Sequence, residues 1–409
     1  MPSDFQYLMD EATRHTRAGN LHAATAAIQR AMMPAPIAPP KARTTAARAA
    51  EPRAADAHTT DAYPNDARGA ASNRPQMFAA ADIIDVDARD VDEPTRPIHT
   101  AQATNAAPAA PVVRDTPAPQ TRSPESATFE SQRYNGAAGQ MHYKLFTPAR
   151  TTQAPMPLVV MLHGCTQNPD DFAAGTTMNR LAQEQGFAVL YPAQSQQANP
   201  QRCWNWFKHN HQARDRGEPA MIAGATREVM ATLPIDPKRV FVAGLSAGGA
   251  MAAIMGRAYP DLYAAVGVHS GLAAGAATDL PSAMMAMNGV GGGGEAASTC
   301  AVRTIVFHGD ADSTVHPING ERAFAACADP KATNQAEEIG AARAGGRGAT
   351  RTVKRAGNGT VIAEYWVVHG ARHAWSGGDA AGTYTDAAGP DASREMLRFF
   401  MSANSGASR

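Results

Sequence analysis

Gly244-Leu245-Ser246-Ala247-Gly248 fits the pattern G-x-S-x-G, a serine hydroxyl with a glycine two residues away on each side. The apolar run VFVA precedes it and a helical pattern follows, which puts Ser246 on a sharp strand-to-helix turn. The flanking glycines permit a strained backbone there, and the helix N-terminus turns free N–H groups toward developing negative charge. A serine so placed is a candidate nucleophile, which needs a base, and the base needs a carboxylate to orient it. His373, in Gly370-Ala371-Arg372-His373 after the apolar run EYWVV, is the expected base. Asp312, in His308-Gly309-Asp310-Ala311-Asp312 after TIVF, is the expected orienting acid, and Asp310 is expected to cap or brace the loop. The order Ser, acid, His, with the last two after late strands, is that of nucleophile-elbow enzymes.

Other residues support the same chemistry. His163-Gly164-Cys165 ends the apolar run PLVVMLHG, and the loop after such a strand supplies one backbone donor to a tetrahedral oxyanion. The expected donors are the amides of Cys165 and Ala247, each worth about 3 kcal/mol in the transition state. Cys203-Trp204-Asn205-Trp206-Phe207 brings three aromatics to the same edge. Trp206 reads equally as core or substrate wall, whereas Trp204 is expected to face substrate. Trp375, two residues beyond His373, is expected to shield the base and border the substrate. His308, His316 and His369 are rival bases read more simply as strand-end or loop histidines. Their spacing with Asp310 and Asp312 fits no zinc motif, so neither a metal nor another cofactor is expected.

The elements that must position these residues follow from hydrophobic pattern. Phe129 to Tyr134 and Gln140 to Phe146 read as two strands around an Asn-Gly turn. The runs PLVVMLHG, FAVLYP, RVFVAGLS, AAVGVHSG, TIVFHGD and VIAEYWVVHG are short and continuously apolar, as strands buried on both faces are. Helical patterns cover about 170–185, 219–233, 247–259, 317–327 and 390–401. This alternation predicts an α/β class with a mostly parallel, doubly wound sheet, in a domain spanning 127–403. Residues 272–300, rich in Gly and Ala, are expected to form a mobile flap near the cleft.

Upstream, residues 1–33 read as a helical hairpin broken at Ala18-Gly19-Asn20, either folded back or serving residues 5–33 as a docking element for a partner or polymer granule. Residues 34–126, dominated by Ala, Pro, Arg, Asp and Thr, read as a disordered linker that buries too little surface to offset chain entropy. Thirty-seven basic residues balance 37 acidic ones, so no global field favours nucleic acid. No apolar run reaches the length of about 18 residues a transmembrane helix needs, and the N-terminus has no continuous apolar h-region. Four cysteines suit either two disulfides in an oxidising compartment or free thiols in the cytosol.

From about Phe129 to Met401 the chain resembles the polyhydroxybutyrate depolymerase family of esterases, which borders on the feruloyl and acetylxylan esterases. The resemblance rests on HGCTQNPDDFA, GFAVLYPAQ, CWNWF, GLSAGGAMAA, YPDLYAAVGVHSG, HGDADSTVHPING and HAWSGG, in that order. It implies an α/β-hydrolase fold, a catalytic set of Ser246, Asp312 and His373, and a Cys165–Cys203 disulfide. It also implies a polyester or small-ester substrate and an extracellular setting, from which this chain departs by lacking a recognisable signal peptide. A feruloyl or acetylxylan esterase would use the same triad. A non-catalytic granule-binding protein would need a broken one.

Overall fold

The computed structural model describes residues 126–150, 152, 154–291 and 302–402, together with Arg14. The predicted hairpin and linker lie outside the described residues save for Arg14 and Ser126, as does the 292–300 part of the predicted flap.

The chain enters through an antiparallel pair, β1 (Thr128–Gly136) and β2 (Gly139–Thr147). Gly136 lies opposite Gly139 and Asn135 opposite Gln140, so the turn falls at Ala137-Ala138, two residues beyond the expected Asn-Gly. Met141, Tyr143 and Leu145 are buried at alternate positions of β2, and this pattern fixes the register. There follow β3 (Met156–Leu162), β4 (Ala188–Pro192), β5 (Ile235–Leu245), β6 (Ala265–His269), β7 (Arg303–Gly309), β8 (Thr333–Ile339), β9 (Ala349–Arg355) and β10 (Val361–Val368). The order in the sheet is β1-β2-β4-β3-β5-β6-β7-β10-β9-β8. Strands β3 to β7 and β10 pair in parallel wherever they neighbour one another, while β2, β9 and β8 run antiparallel to their neighbours. A parallel sheet with one antiparallel strand near its start, the nucleophile turn following its central strand, is the α/β-hydrolase fold.

All seven residues of β3 are buried, and they alternate between two cores. Leu158, Val160 and Leu162 join one, with Ile222 and Val229 of α3 (Gly217–Thr232) and Met251 and Met255 of α4 (Ala247–Ala258). Val159 and Met161 join the other, with Phe172 of α1 (Pro169–Thr176), Leu181 of α2 (Met178–Gln185), and Met396 and Phe400 of α7 (Ala392–Met401). A strand covered on both faces has no polar side to show, which is why it reads as a continuous apolar run.

The structure corrects three expectations about elements. The helix expected over 170–185 is two, α1 and α2, because Thr177 takes a left-handed conformation (φ 53°) between them. Within the expected flap, Leu280–Met287 is a helix, α5, started by a capping box between Asp279 and Ser282, and α6 (Ile318–Ala325) follows β7. Strands β8 and β9 had no counterpart in the sequence reading: β8 sits at the sheet edge with six of its seven residues exposed, so it carries no apolar period. Among the described residues no helix is long and apolar enough to cross a membrane.

Candidate active site

Ser246 stands between β5 and α4 with φ 57° and ψ −119°, a conformation that side-chain-bearing residues rarely hold. The neighbouring packing enforces it. A Cβ on Gly244 would stand 2.4 Å from the Gly248 carbonyl carbon, and one on Gly248 would stand 2.0 Å from the Leu162 carbonyl oxygen. Only glycine at both positions lets β3, β5 and α4 approach this closely. The Ser246 amide donates to the His269 carbonyl at 2.9 Å, which anchors the turn to β6.

Loops from the ends of β7 and β10 bring the acid and the histidine together. They are bound to each other by Asp310 N–H to the Val368 carbonyl (3.2 Å) and Ala311 N–H to the Ala371 carbonyl (3.1 Å). The Asp312 side chain is fully buried; its Oδ1 accepts the amides of Thr314 and Val315, both at 2.9 Å. Its Oδ2 meets His373 Nδ1 at 2.7 Å, which assigns the ring proton to Nδ1 and leaves Nε2 as the basic nitrogen. Burial alone would raise the Asp312 carboxyl; the His308 and His373 rings, 3.4 and 2.7 Å from Oδ2, and the Val315 amide outweigh it and hold the group well below the usual carboxylate range. Asp310 instead accepts the Gly370 amide at 2.6 Å, the bracing contact expected of it.

Ser246 and His373 line one cavity of about 360 Å³, walled also by Gly164, Cys165, Gln167, Leu245, Met287, Ser313, Thr314, Arg372 and Tyr384. A more open depression of about 420 Å³, over Asp170, Arg180 and Asp379, holds none of the predicted site residues. In the loop after β3 the Gly164 amide is taken by Gln167 Oε1 (2.9 Å) and the Thr166 amide by the Gln201 carbonyl (2.6 Å). Among the described residues the Cys165 and Ala247 amides have no acceptor, and both residues lie beside the serine turn. Cys165 is disulfide-bonded to Cys203, their Cα atoms 4.2 Å apart. Cys327 is disulfide-bonded as well.

Trp204 and Trp375, expected to border substrate, and Trp206, read equally as core or substrate wall, do not line the cavity. Trp204 and Trp206 are 1% and 5% exposed and belong to the core. Trp204 lies under the loop after β3, its indole N–H donating to the His163 carbonyl at 3.1 Å. The loop carrying both rings is pulled inward by buried Glu218, which accepts the Asn205 amide (2.7 Å) and side chain (2.6 Å). Trp375 is 1% exposed, donates to Ser393 Oγ at 3.0 Å and stacks on the His269 ring at 5.0 Å, so it belongs to the core. Of the rival histidines, His369 binds Thr350 Oγ1 (2.9 Å), His316 Nδ1 accepts the Ile318 amide (3.2 Å), and His308 donates to the Val315 carbonyl (2.8 Å).

Two residues that hold the site went unread in the sequence. Gln167 closes on the Gly164 amide through Oε1 and on Asp171 through Nε2 (2.8 Å), shaping the loop that carries Cys165. His269 is buried between Phe307 and Trp375, with centroids 5.7 and 5.0 Å away, and its Nε2 accepts the Ser376 amide at 2.9 Å. One residue therefore holds the serine turn by its carbonyl and the histidine loop by its ring. A histidine closing a strand, as in Val268-His269-Ser270, was the available signal. No group of three or more His, Cys, Asp or Glu side chains that would hold a metal occurs among the described residues.

A family model described as Esterase PHB depolymerase matches residues 141–347, just over half of the chain. Among individual proteins, poly(3-hydroxyalkanoate) depolymerase C of Paucimonas lemoignei is 31% identical over 232 residues, 54% of this chain and 55% of that one. Acetylxylan esterase A of Talaromyces purpureogenus is 28% identical over 207 residues, 45% of this chain and 52% of that one. The chain thus spans little more than half the length of these relatives. Among solved structures, an acetyl xylan esterase from Aspergillus awamori aligns with 66% of this chain and 99% of its own at 19% identity and a TM-score of 0.48.

Proposed function

Because the chain belongs to the Esterase PHB depolymerase family, we propose that it is a serine carboxylic ester hydrolase acting on a short-chain polyhydroxyalkanoate such as polyhydroxybutyrate. The observation that carries the reading is the strained Ser246 sharing a cavity with His373, whose Nδ1 lies 2.7 Å from buried Asp312. The polyester half of the reading draws on the family match and on the likeness to a poly(3-hydroxyalkanoate) depolymerase.

In the proposed mechanism His373 Nε2 takes the Ser246 hydroxyl proton as Oγ bonds to the ester carbonyl carbon. Asp312, kept ionised by its donors, holds the ring and stabilises the imidazolium. The amides of Cys165 and Ala247 receive the oxyanion. The tetrahedral adduct collapses, the C–O bond to the leaving alcohol breaks, and His373 returns the proton to that oxygen. A water, deprotonated by the same nitrogen, then cleaves the acyl enzyme to a carboxylic acid and free Ser246. Every proton is accounted for by His373, so the chain needs no further reactant than water.

The test is product release from amorphous polyhydroxybutyrate granules, with methyl ferulate, an acetylated xylan and p-nitrophenyl acetate in parallel, for wild type and Ser246→Ala. Granule clearing by wild type alone supports the reading. Turnover restricted to soluble esters keeps the mechanism and moves the substrate to the acetylxylan or feruloyl class. Undiminished activity in Ser246→Ala removes the mechanism itself.

A further inference from the structure

One charged side chain in the cavity wall takes no part in the mechanism above. Arg372 immediately precedes His373 in the loop after β10, is exposed, and lines the same cavity as Ser246. Among the described residues no Asp or Glu lines that cavity; beside His373 its polar lining is neutral, from Gln167, Ser313, Thr314 and Tyr384. Among the described residues Arg372 has neither an ion-pair nor a hydrogen-bond partner. Acids on the adjoining segments are engaged elsewhere: Asp310 holds the Gly370 amide, Asp312 faces His373, and Asp386 is paired with Arg347 at 2.5 Å. Two surface arginines of this unit, Arg214 and Arg398, do have carboxylates of their own, on Asp261 at 2.6 Å and on Glu364 at 2.5 Å.

A guanidinium without a counter-charge in the wall of a reactive cavity is a planar fork of donors for an anion. The proposed reaction supplies one of matching geometry. Each ester cleaved in a hydroxy-acid polyester leaves a chain ending in a carboxylate, and every released oligomer carries that group one monomer from its last ester bond. Interior esters of the polymer have no charge to offer. We propose that Arg372 binds the terminal carboxylate of a hydroxy-acid oligoester, so that the site favours the carboxyl ends of short oligomers over uncharged interior esters. This rests on the esterase reading and narrows its substrate. An electrostatic contact at an exposed position is modest and salt-sensitive, so the preference amounts to roughly threefold to tenfold at low ionic strength.

The measurement is kcat/KM for the linear dimer of 3-hydroxybutyrate as its free acid and as its methyl ester, at low and high salt, for wild type, Arg372→Gln and Arg372→Lys. Wild type is expected to prefer the free acid, chiefly through a lower KM, with the preference fading in high salt. In Arg372→Gln the ratio falls toward one, and Arg372→Lys restores part of it. The ratio does not depend on how much of a variant is folded. A wild-type ratio near one, or an unaltered ratio in Arg372→Gln, overturns the assignment of Arg372 while turnover of the methyl ester leaves the esterase reading standing. Failure of wild type to hydrolyse either compound overturns both.

Discussion

Asp310 and Asp312 are two residues apart, and what separates them is the company each oxygen keeps. Asp312 is buried, with two backbone amides on Oδ1 and the His373 ring on Oδ2; Asp310 is exposed and holds only the Gly370 amide. Replacing Asp312 by Asn puts an N–H where a carboxylate oxygen met His373 Nδ1, and the ring turns to the wrong tautomer. The expected loss in kcat is about 10²–10⁴-fold with little change in KM. Asp310→Asn keeps a carbonyl oxygen for Gly370 and costs stability of about 1 kcal/mol or less. Steady-state kinetics on p-nitrophenyl acetate checks both, and equal losses in the two variants would count against this division of roles. That the candidates Ser246, Asp312 and His373 would come together was legible because each follows an apolar strand at the edge where open α/β sheets gather their sites. Trp204 misled, and Trp206 stayed undecided, because a ring-rich loop reads the same whether its rings point in or out. What decides the direction is buried Glu218, 14 residues from Trp204 in the chain and visible as its anchor only in three dimensions.

At the scale of elements, the loop after β3 is the least regular part of the site and the most heavily tied. Gln167 holds its Gly164 amide, Trp204 holds the His163 carbonyl, and the Cys165–Cys203 disulfide joins it to the aromatic loop 38 residues away. Closing a loop of that length stabilises a fold by about 4 kcal/mol on chain-entropy grounds. The double variant Cys165→Ser, Cys203→Ser is therefore expected to lose roughly 3–4 kcal/mol in urea unfolding. Its kcat should also fall, because the Cys165 amide is then held by fewer constraints. An unchanged unfolding midpoint with unchanged kcat would show that Gln167 and Trp204 hold the loop unaided. Buried strands and amphipathic helices were legible because both faces of β3 and one face of α7 are spelled in apolar residues. The break at Thr177 and the edge strands β8 and β9 were not. The first is a single backbone angle, and the others form on an exposed border where burial imposes no pattern.

For the molecule as a whole, the even balance of 37 basic and 37 acidic residues leaves little net charge to drive unfolding near neutrality, so pH sensitivity is set by particular buried groups. His163 and His269 are the two that matter on the acid side. Burial is the main cause that lowers His163 from 6.5 to about 4, with its bond to the Gly164 carbonyl opposing and Arg202 adding to the fall. Burial likewise lowers His269 from 6.5 to about 3, with the neighbouring His308 and His373 adding to it. Each ring is neutral and accepts a backbone amide on Nε2, from Gln194 at 3.2 Å and Ser376 at 2.9 Å, so a second ring proton would set donor against donor. The unfolded chain takes up these protons near 6.5 while the folded chain refuses them until about 4 and 3, so it is the unfolded state that gains as pH falls through that window. Each histidine removes about 1.4 kcal/mol per pH unit there, and the pair about 3–4 kcal/mol between pH 6.5 and pH 5. Asp312 acts in the same direction only nearer its ordinary value of 3.8, because the folded state keeps it ionised below that point. Urea unfolding at pH 7 and pH 5 measures the loss, and a His269→Gln variant, which cannot titrate but can still accept the Ser376 amide, should show about half of it. A stability that is flat between those two pH values would mean that the rings under the site are reached by water and take their protons in the folded state.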